Sequence, residues 1–360
     1  MEQESFQPNV HELYLEAIEL LKALVRTPSL SKEEKETADL LELFFQEKGL
    51  PCHRKMNNIW VKNKFYDPDK PTILLNSHHD TVKPNSRYTL DPFTPLIKDG
   101  KLYGLGSNDA GGPLVSLIAT FLFFYSKKDL RYNLILSATA EEEISGEHGV
   151  SAILEEIGSI DFAVVGEPTQ MQLAIAEKAL LVIDAVVHGT PSHAAHPNPD
   201  NAIYKAMEDL RWIAQYRFPK VSKWLGQVKM TTTVIHAGEL HNQVPAQCRF
   251  TIDVRVTDCY STQEVFETIK SHLKATVKAR SLKRDSSSLP EDHPFVEAGV
   301  ALGRKCYGSP TSSDQALIPF PSLKIGPGDS TRSHTADEFI YVEEIQQGIT
   351  CYIEIFKRIL

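Results

Sequence analysis

The chain has 360 residues, 42% hydrophobic and 24% charged, enough for a full core and for more than one domain of the usual ~100–200 residues. Its formal net charge of -9, with no basic run to offset it, argues against a nucleic-acid or anionic-membrane surface. Cys52, Cys248, Cys259, Cys306 and Cys351 are odd in number and scattered without a CxxC pair, which excludes a disulfide framework and a cysteine zinc knot and suits a reducing cytoplasm.

The opening "MEQESFQPNVHELYLEAIELLKALV" carries acids where a signal peptide needs positive charge. No apolar stretch approaches the ~20 residues that span a bilayer. Residues 9–26 show helical spacing (Tyr14, Ile18, Leu21, Val25), and "SLSKEEKETADLLELFFQEKG" reads as a second helix with a Ser cap and a stop at Gly49. "NIWVKNK", "TILLNSHHD", "NLILSATA" and "FAVVGEP" read as strands closed by turn residues, with a helix over "AGGPLVSLIATFLFFYSKK" between two of them. This order predicts an α/β fold, a sheet flanked by helices.

The pattern changes near residue 177. "KALLVIDAVVHGT" is a longer alternating strand, followed by a helix over 201–215, strands at "KMTTTVIHAG" and "CRFTIDVRVT", and a helix over 262–279. That unit reads as an inserted α+β domain over 177–285, returning through the polar "ARSLKRDSSSLPEDHP" to a first domain made of 1–176 and 286–360, with hinges near 176 and 285. "HPFVEAGVALGRKCYG" and "EEIQQGITCYIEIFKRI" read as the closing helices.

Several short motifs carry chemistry. In "LLNSHHDTV", residues two apart on a strand face the same way, so Asp80 stands behind His78 as a carboxylate behind a metal-binding imidazole does, while His79 points oppositely. A strand-end histidine bonded to a neighbour is the plainer reading. "GLGSNDAGG" puts Asp109 before a helix, where it is either a cap or a ligand; its glycines match no phosphate loop. In "AEEEISGEHG" three carboxylates follow a buried-type strand, at the end where open α/β sheets keep their sites. Crowding them costs ~1 kcal/mol per pair in water and ~4 kcal/mol at a dielectric near 20, so a sheltered site needs positive charge nearby. Glu142 and Glu143 can then face a bound water and a cation, or the loop is merely solvated. "VVGEPT" ends a strand on Glu167, and "GPGDSTRSHTADEF" places His334 in a turn-rich loop; either residue alone is unremarkable. Together His78, Asp109, Glu143, Glu167 and His334 are nitrogen and oxygen donors without thiolate, suited to zinc, cobalt or manganese in a two-metal site with one bridging carboxylate.

These five elements, in this order, resemble a family of dinuclear zinc amidohydrolases that includes acetylornithine deacetylase, succinyl-diaminopimelate desuccinylase, aminoacylase and glutamate-releasing carboxypeptidases. The resemblance spans nearly the whole chain. It implies a zinc-aminopeptidase-like catalytic domain with a central mixed sheet, interrupted by a smaller lid domain that also dimerises. It also implies two divalent ions per subunit, zinc or alternatively cobalt. Carried over by position, Asp109 resembles the bridging ligand, His78 and Glu167 the ligands of one metal, Glu143 and His334 those of the other, Asp80 the residue orienting His78, and Glu142 the general base. In "HGTPSHAAHP", His193 matches a lid histidine that reaches the neighbouring subunit's site in a homodimer; His196 has no counterpart. "HNQVP" and "DVR" give Asn242 and Arg255 as substrate contacts. Ser77, His79 and the sequence Asp-Ala-Gly-Gly depart from the common pattern without removing a ligand. The implied activity is cytoplasmic hydrolysis of a small N-acyl amino acid, most like deacetylation of acetylornithine in arginine biosynthesis, with acetylcitrulline and succinylated substrates close behind. The alternatives are a di- or tripeptidase and, from another class, a silent binding protein on the same fold.

Overall fold

The computed structural model describes residues 9–283 and 285–360, so the acidic opening of the chain and Arg284 lie outside the described residues. The chain divides into two compact units, residues 1–175, 288–307 and 313–360 in the first and 176–287 with 308–312 in the second. Residues 308–312, which the sequence reading assigned to the first domain, cluster with the second unit.

In the first unit the elements are α1 (Val10–Arg26), α2 (Lys35–Glu47), β1 (Cys52–Lys55), β2 (Asn58–Lys62), β3 (Thr72–His78), α3 (Gly112–Phe124), β4 (Asn133–Thr139), β5 (Phe162–Val165), β6 (Leu173–Glu177), β7 (Ser322–Lys324) and α4 (Val342–Ile359). The strands form a mixed sheet in the order β1-β2-β4-β3-β5-β7-β6. β3 runs parallel to β4 and β5, and β7 parallel to β5, so their carboxyl ends open on one edge. β3 and β4 are buried at every residue, as expected of parallel strands covered on both faces. α3 is apolar nearly all round and correspondingly buried, between α1 and α4. α4 turns Ile345, Ile349, Tyr352, Ile353 and Phe356 inward, and the Tyr352 hydroxyl donates to the Ile325 carbonyl just beyond β7.

In the second unit an antiparallel sheet has the order Lys229–Ala237, Gln247–Val256, Ala179–His188, Thr276–Ala279. One face is buried with strict alternation (Leu181, Ile183, Ala185, Val187) against the helices Ala202–Gln215 and Thr262–His272. The expected helix over 262–279 is shorter: Leu273 leaves helical geometry, and Thr276–Ala279 pairs with Ile183–Val186 as an edge strand. Similarly, the expected helix over 293–308 ends at Ala301, and Cys306–Ser309 is extended.

Sequence reading missed the hairpin Leu96–Lys98 with Lys101–Tyr103, to which Phe339–Tyr341 adds a third strand. The serines before α2 do not cap it: its N-cap is Glu34, without a side-chain cap bond, and Ser31 instead donates to Asp80. No helix among the described residues is long and apolar enough to cross a membrane.

Candidate metal centre

The site is built where β3, β4 and β5 end. His78 closes β3, and its Nδ1–H donates to the main-chain carbonyl of Asp80 at 2.9 Å, so Nε2 faces outward. Nε2 lies 3.3 Å from Asp109 Oδ1, 3.8 Å from Glu142 Oε2 and 3.9 Å from Glu167 Oε1. His79 points away as the alternation requires, donating from Nε2 to Asn57 O (2.8 Å) with Nδ1 2.9 Å from the Thr37 hydroxyl; burial pushes its pKa down. It joins β3 to the start of α2 and does not enter the cluster.

Asp80 does more than stand behind His78. Its carboxylate is 3.4 Å from His78 Nδ1, farther than its own carbonyl, while it accepts the N–H groups of Glu142 (3.0 Å) and Glu143 (3.2 Å) and the Ser31 hydroxyl (2.7 Å). The loop after β4 is thereby tied to the loop after β3. Within that loop Glu141 takes a left-handed conformation (φ 55°), and its side chain turns back to accept the His148 N–H at 3.2 Å. This separates the three adjacent carboxylates: Glu141 serves its own loop, and Glu142 and Glu143 face the cluster. Gly146 is required beside it, because a Cβ there would meet Glu141 Oε2 at 1.8 Å.

Asp109 sits in an irregular loop before α3, with Gly106 left-handed at its start (φ 75°). The buried carboxylate of Glu338 accepts the N–H groups of Gly106 (3.1 Å), Asn108 (2.9 Å) and Asp109 (2.9 Å). Asp109 turns Oδ1 to His78 and Oδ2 to His334, whose Nε2 is 3.8 Å away. His334 Nε2 is also 3.0 Å from Glu143 Oε2. Glu167 follows β5, held where Gly166 N–H donates to Asn76 O (2.7 Å); a Cβ at Gly326 would come within 2.5 Å of the Glu167 carbonyl.

Three groups that could hold an ion emerge, each with donor atoms within 4.8 Å of one another: His78 with Asp109 and Glu167, Asp109 with Glu143 and His334, and His78 with Glu142 and Glu143; the first two share Asp109. Such a carboxylate-rich, sheltered set is stable when cations sit in it, and nitrogen–oxygen donors fit borderline divalent ions. The crowding of carboxylates shows in the ionisation of the cluster. Burial pushes Glu142 well above the carboxylate range, against the opposing pull of His78 and with Glu167, Asp314 and Glu143 adding to it. The contact with Glu143 raises His334 to about 9.

Sequence reading did not single out Glu338 or Asp314. Burial, with Asp109 adding to it, pushes Glu338 up to about 8, and its three N–H donors oppose this. Asp314 is fully enclosed, its Oδ2 accepting from Asn76 Nδ2 (2.8 Å) and Thr139 Oγ1 (2.7 Å); burial raises it to about 6.

In the second unit, His193 pairs with Gln243 in a short two-stranded ladder, and the Ala194 N–H donates to Asn242 O at 2.9 Å, so His193 and Asn242 are neighbours. Arg255 is at the far end of the strand Gln247–Val256 and is held by Asp253, with Nε–Oδ1 at 2.9 Å. His196 stacks edge-on against His193 with ring centres 5.9 Å apart.

Residues 74–358 match Peptidase family M20/M25/M40, which is most of the chain. The chain belongs to this family. It is therefore a metal-dependent hydrolase of amide bonds. A succinyl-diaminopimelate desuccinylase of Wolbachia pipientis subsp. Culex pipiens (strain wPip) is 25% identical over 378 residues, 96% of this chain and 93% of its own. An acetylornithine deacetylase of Proteus mirabilis (strain HI4320) is 28% identical over 379 residues, 94% of this chain and 96% of its own. The crystal structure of the Bacillus subtilis YXEP protein, a dinuclear metal-binding peptidase from the M20 family, matches with a TM-score of 0.71 over 96% of this chain and 98% of its own. At 16% identity that likeness is one of fold.

Proposed function

We propose that this M20 hydrolase removes the acyl group from an N-acylated amino acid, with N-acetylornithine the substrate of first choice and acetylcitrulline or a succinylated amino acid next, in cytoplasmic arginine biosynthesis. The observation that carries the reading is the end-to-end match to relatives named as a desuccinylase and a deacetylase, in a chain that retains Glu142 and all five donor side chains.

In this reading His78 and Glu167 hold one divalent ion, Glu143 and His334 the other, and Asp109 both, with zinc preferred and cobalt second. When bound, the two ions supply Lewis acidity toward the scissile carbonyl and make a water easier to deprotonate. Glu142 takes that proton and delivers it to the leaving nitrogen. Its carboxylate form, disfavoured by burial alone, is favoured beside cations. Asp80 keeps Glu142 and Glu143 in place through their main-chain N–H groups. His193 of a neighbouring subunit is assigned the oxyanion and Asn242 the substrate, in a homodimer formed through the second unit; the exposed edge strand with Val234 and Ile235 supports a face open to pairing. Arg255, already occupied by Asp253, has the weaker claim on substrate.

A second reading is a di- or tripeptidase, favoured by the peptidase nature of the structurally similar protein. Hydrolysis of N-acetyl and N-succinyl derivatives of ornithine, citrulline and diaminopimelate by zinc-loaded protein, beside a dipeptide set, separates the two. Higher kcat/KM on the acyl amino acids supports the proposal, and higher kcat/KM on dipeptides overturns its substrate.

A further inference from the structure

We propose that Glu338 is a positioning residue for the metal centre: through the main-chain N–H groups of Gly106, Asn108 and Asp109 it fixes the loop that aims the Asp109 carboxylate at both His78 and His334. The inference rests on the two-metal reading above and adds to it a residue outside the candidate donor groups.

Three observations carry it. First, Glu338 is 2% exposed, and all three of its main-chain partners belong to the Asp109 loop. A buried carboxylate next to another carboxylate is an expensive way to stabilise a fold, since desolvation disfavours the charge and Asp109 repels it. Its retention there is explained by what it holds. Secondly, Glu338 lies four residues after His334 on the same segment, so the residue proposed to bind one metal and the clamp on the shared ligand belong to one short stretch of chain. Thirdly, that stretch is tied to the loop by main-chain contacts as well. Gly104 N–H donates to the Glu338 carbonyl at 2.9 Å, and Phe339–Tyr341 pairs with Lys101–Tyr103. Asp109 and His334 are thus placed by one connected framework, in which Glu338 is the only side chain that reaches the Asp109 N–H among the described bonds.

Partners behind metal ligands are worth ~10–100-fold in metal affinity, and Glu338 acts one step further back, on the main chain of the shared ligand. The test is zinc binding by equilibrium dialysis of the full-length, metal-stripped protein, with Glu338→Gln, Glu338→Asp and Asp337→Asn compared. Asp337 accepts the Thr89 and Leu90 N–H groups instead, so it serves as a neighbouring structural control. The expected result is that Glu338→Gln weakens both zinc equivalents by ~10-fold or more, whereas Asp337→Asn lowers the melting temperature without changing zinc affinity. Wild-type affinity in Glu338→Gln, or an equal loss in Asp337→Asn, overturns the proposal. If Glu338→Gln does not fold, Glu338→Asp decides: it keeps the carboxyl group but shortens the reach, so weakened zinc binding supports positioning and unchanged binding overturns it. A wild-type chain that takes up no zinc overturns the two-metal reading along with this one, which separates the two failures.

Discussion

His334 Nε2 stands 3.0 Å from Glu143 Oε2, two side chains 191 residues apart in sequence. In the metal-free protein this contact raises the His334 pKa to about 9, above its ordinary 6.5. The sign is definite: the stability the contact contributes is fully present below pH 6.5 and is lost as pH rises through 9. Metal ligation needs the neutral imidazole, so binding must release this proton at neutral pH. His78, also raised by the surrounding carboxylates against the effect of burial, adds to the release. Apparent zinc affinity is therefore expected to climb from pH 6.5 to 8.5, with proton release measurable by calorimetry in buffers of different ionisation heat. A flat affinity over that range contradicts the assignment of His334.

Asp80 is expected to matter through Glu142 and Glu143 as much as through His78, because its carboxylate accepts both of their N–H groups. Asp80→Ala leaves those donors unpaired and frees the loop. The expected outcome is a fall of ~10–100-fold in zinc affinity or kcat, with the fold intact by circular dichroism. Ser31→Ala, which removes one further donor to the same carboxylate, should cost less than Asp80→Ala.

Asp314 tests how the sheet beneath the centre is held. Asp314→Ala strands the Asn76 and Thr139 donors and should cost ~1–3 kcal/mol in denaturant melts. Asp314→Asn can keep both bonds through its carbonyl oxygen while removing the charge. Since the folded pKa of about 6 lies above the ordinary 3.8, the native state holds the extra proton in that window, and stability contributed by Asp314 declines as pH rises from about 4 to 6. The metal-free Asn variant should thus gain stability relative to wild type on going from pH 4.5 to 7.5; an equal difference at both pH values contradicts the raised pKa.

The proposed role of His193 across a dimer predicts complementation. Glu142→Gln and His193→Ala proteins, each nearly inactive alone, should regain part of the wild-type rate after mixing and subunit exchange, because one site of the mixed dimer has both residues intact. No recovery despite demonstrated exchange contradicts the trans assignment.

Much of the cluster was legible in the sequence for a local reason. His78, Glu143 and Glu167 lie at or after the ends of apolar runs that read as strands, and Asp109 and His334 lie in glycine-containing turns. Each alone is unremarkable, and only the five together point to a site. Glu338 and Asp314 gave no such signal. One acts on main-chain N–H groups 229 to 232 residues away, the other joins side chains from two strands, 175 and 238 residues distant, and no periodicity encodes either contact. The overextended helix at 262–279 has a different cause: residues 276–279 pair with a strand in the same unit, and that pairing outweighs local helical preference. Ser31 shows the same limit, since a serine before a helix suggests a cap and the Asp80 carboxylate is invisible from that stretch alone.

The most direct test of the account is zinc content and turnover measured on one preparation of Glu142→Gln, beside wild type, with N-acetylornithine as substrate. Two zinc ions per chain are expected in both proteins, with a kcat lower by ~10²–10⁴-fold in the variant, the range that a general base contributes. Turnover near the wild-type rate at full zinc occupancy would contradict the assignment of Glu142.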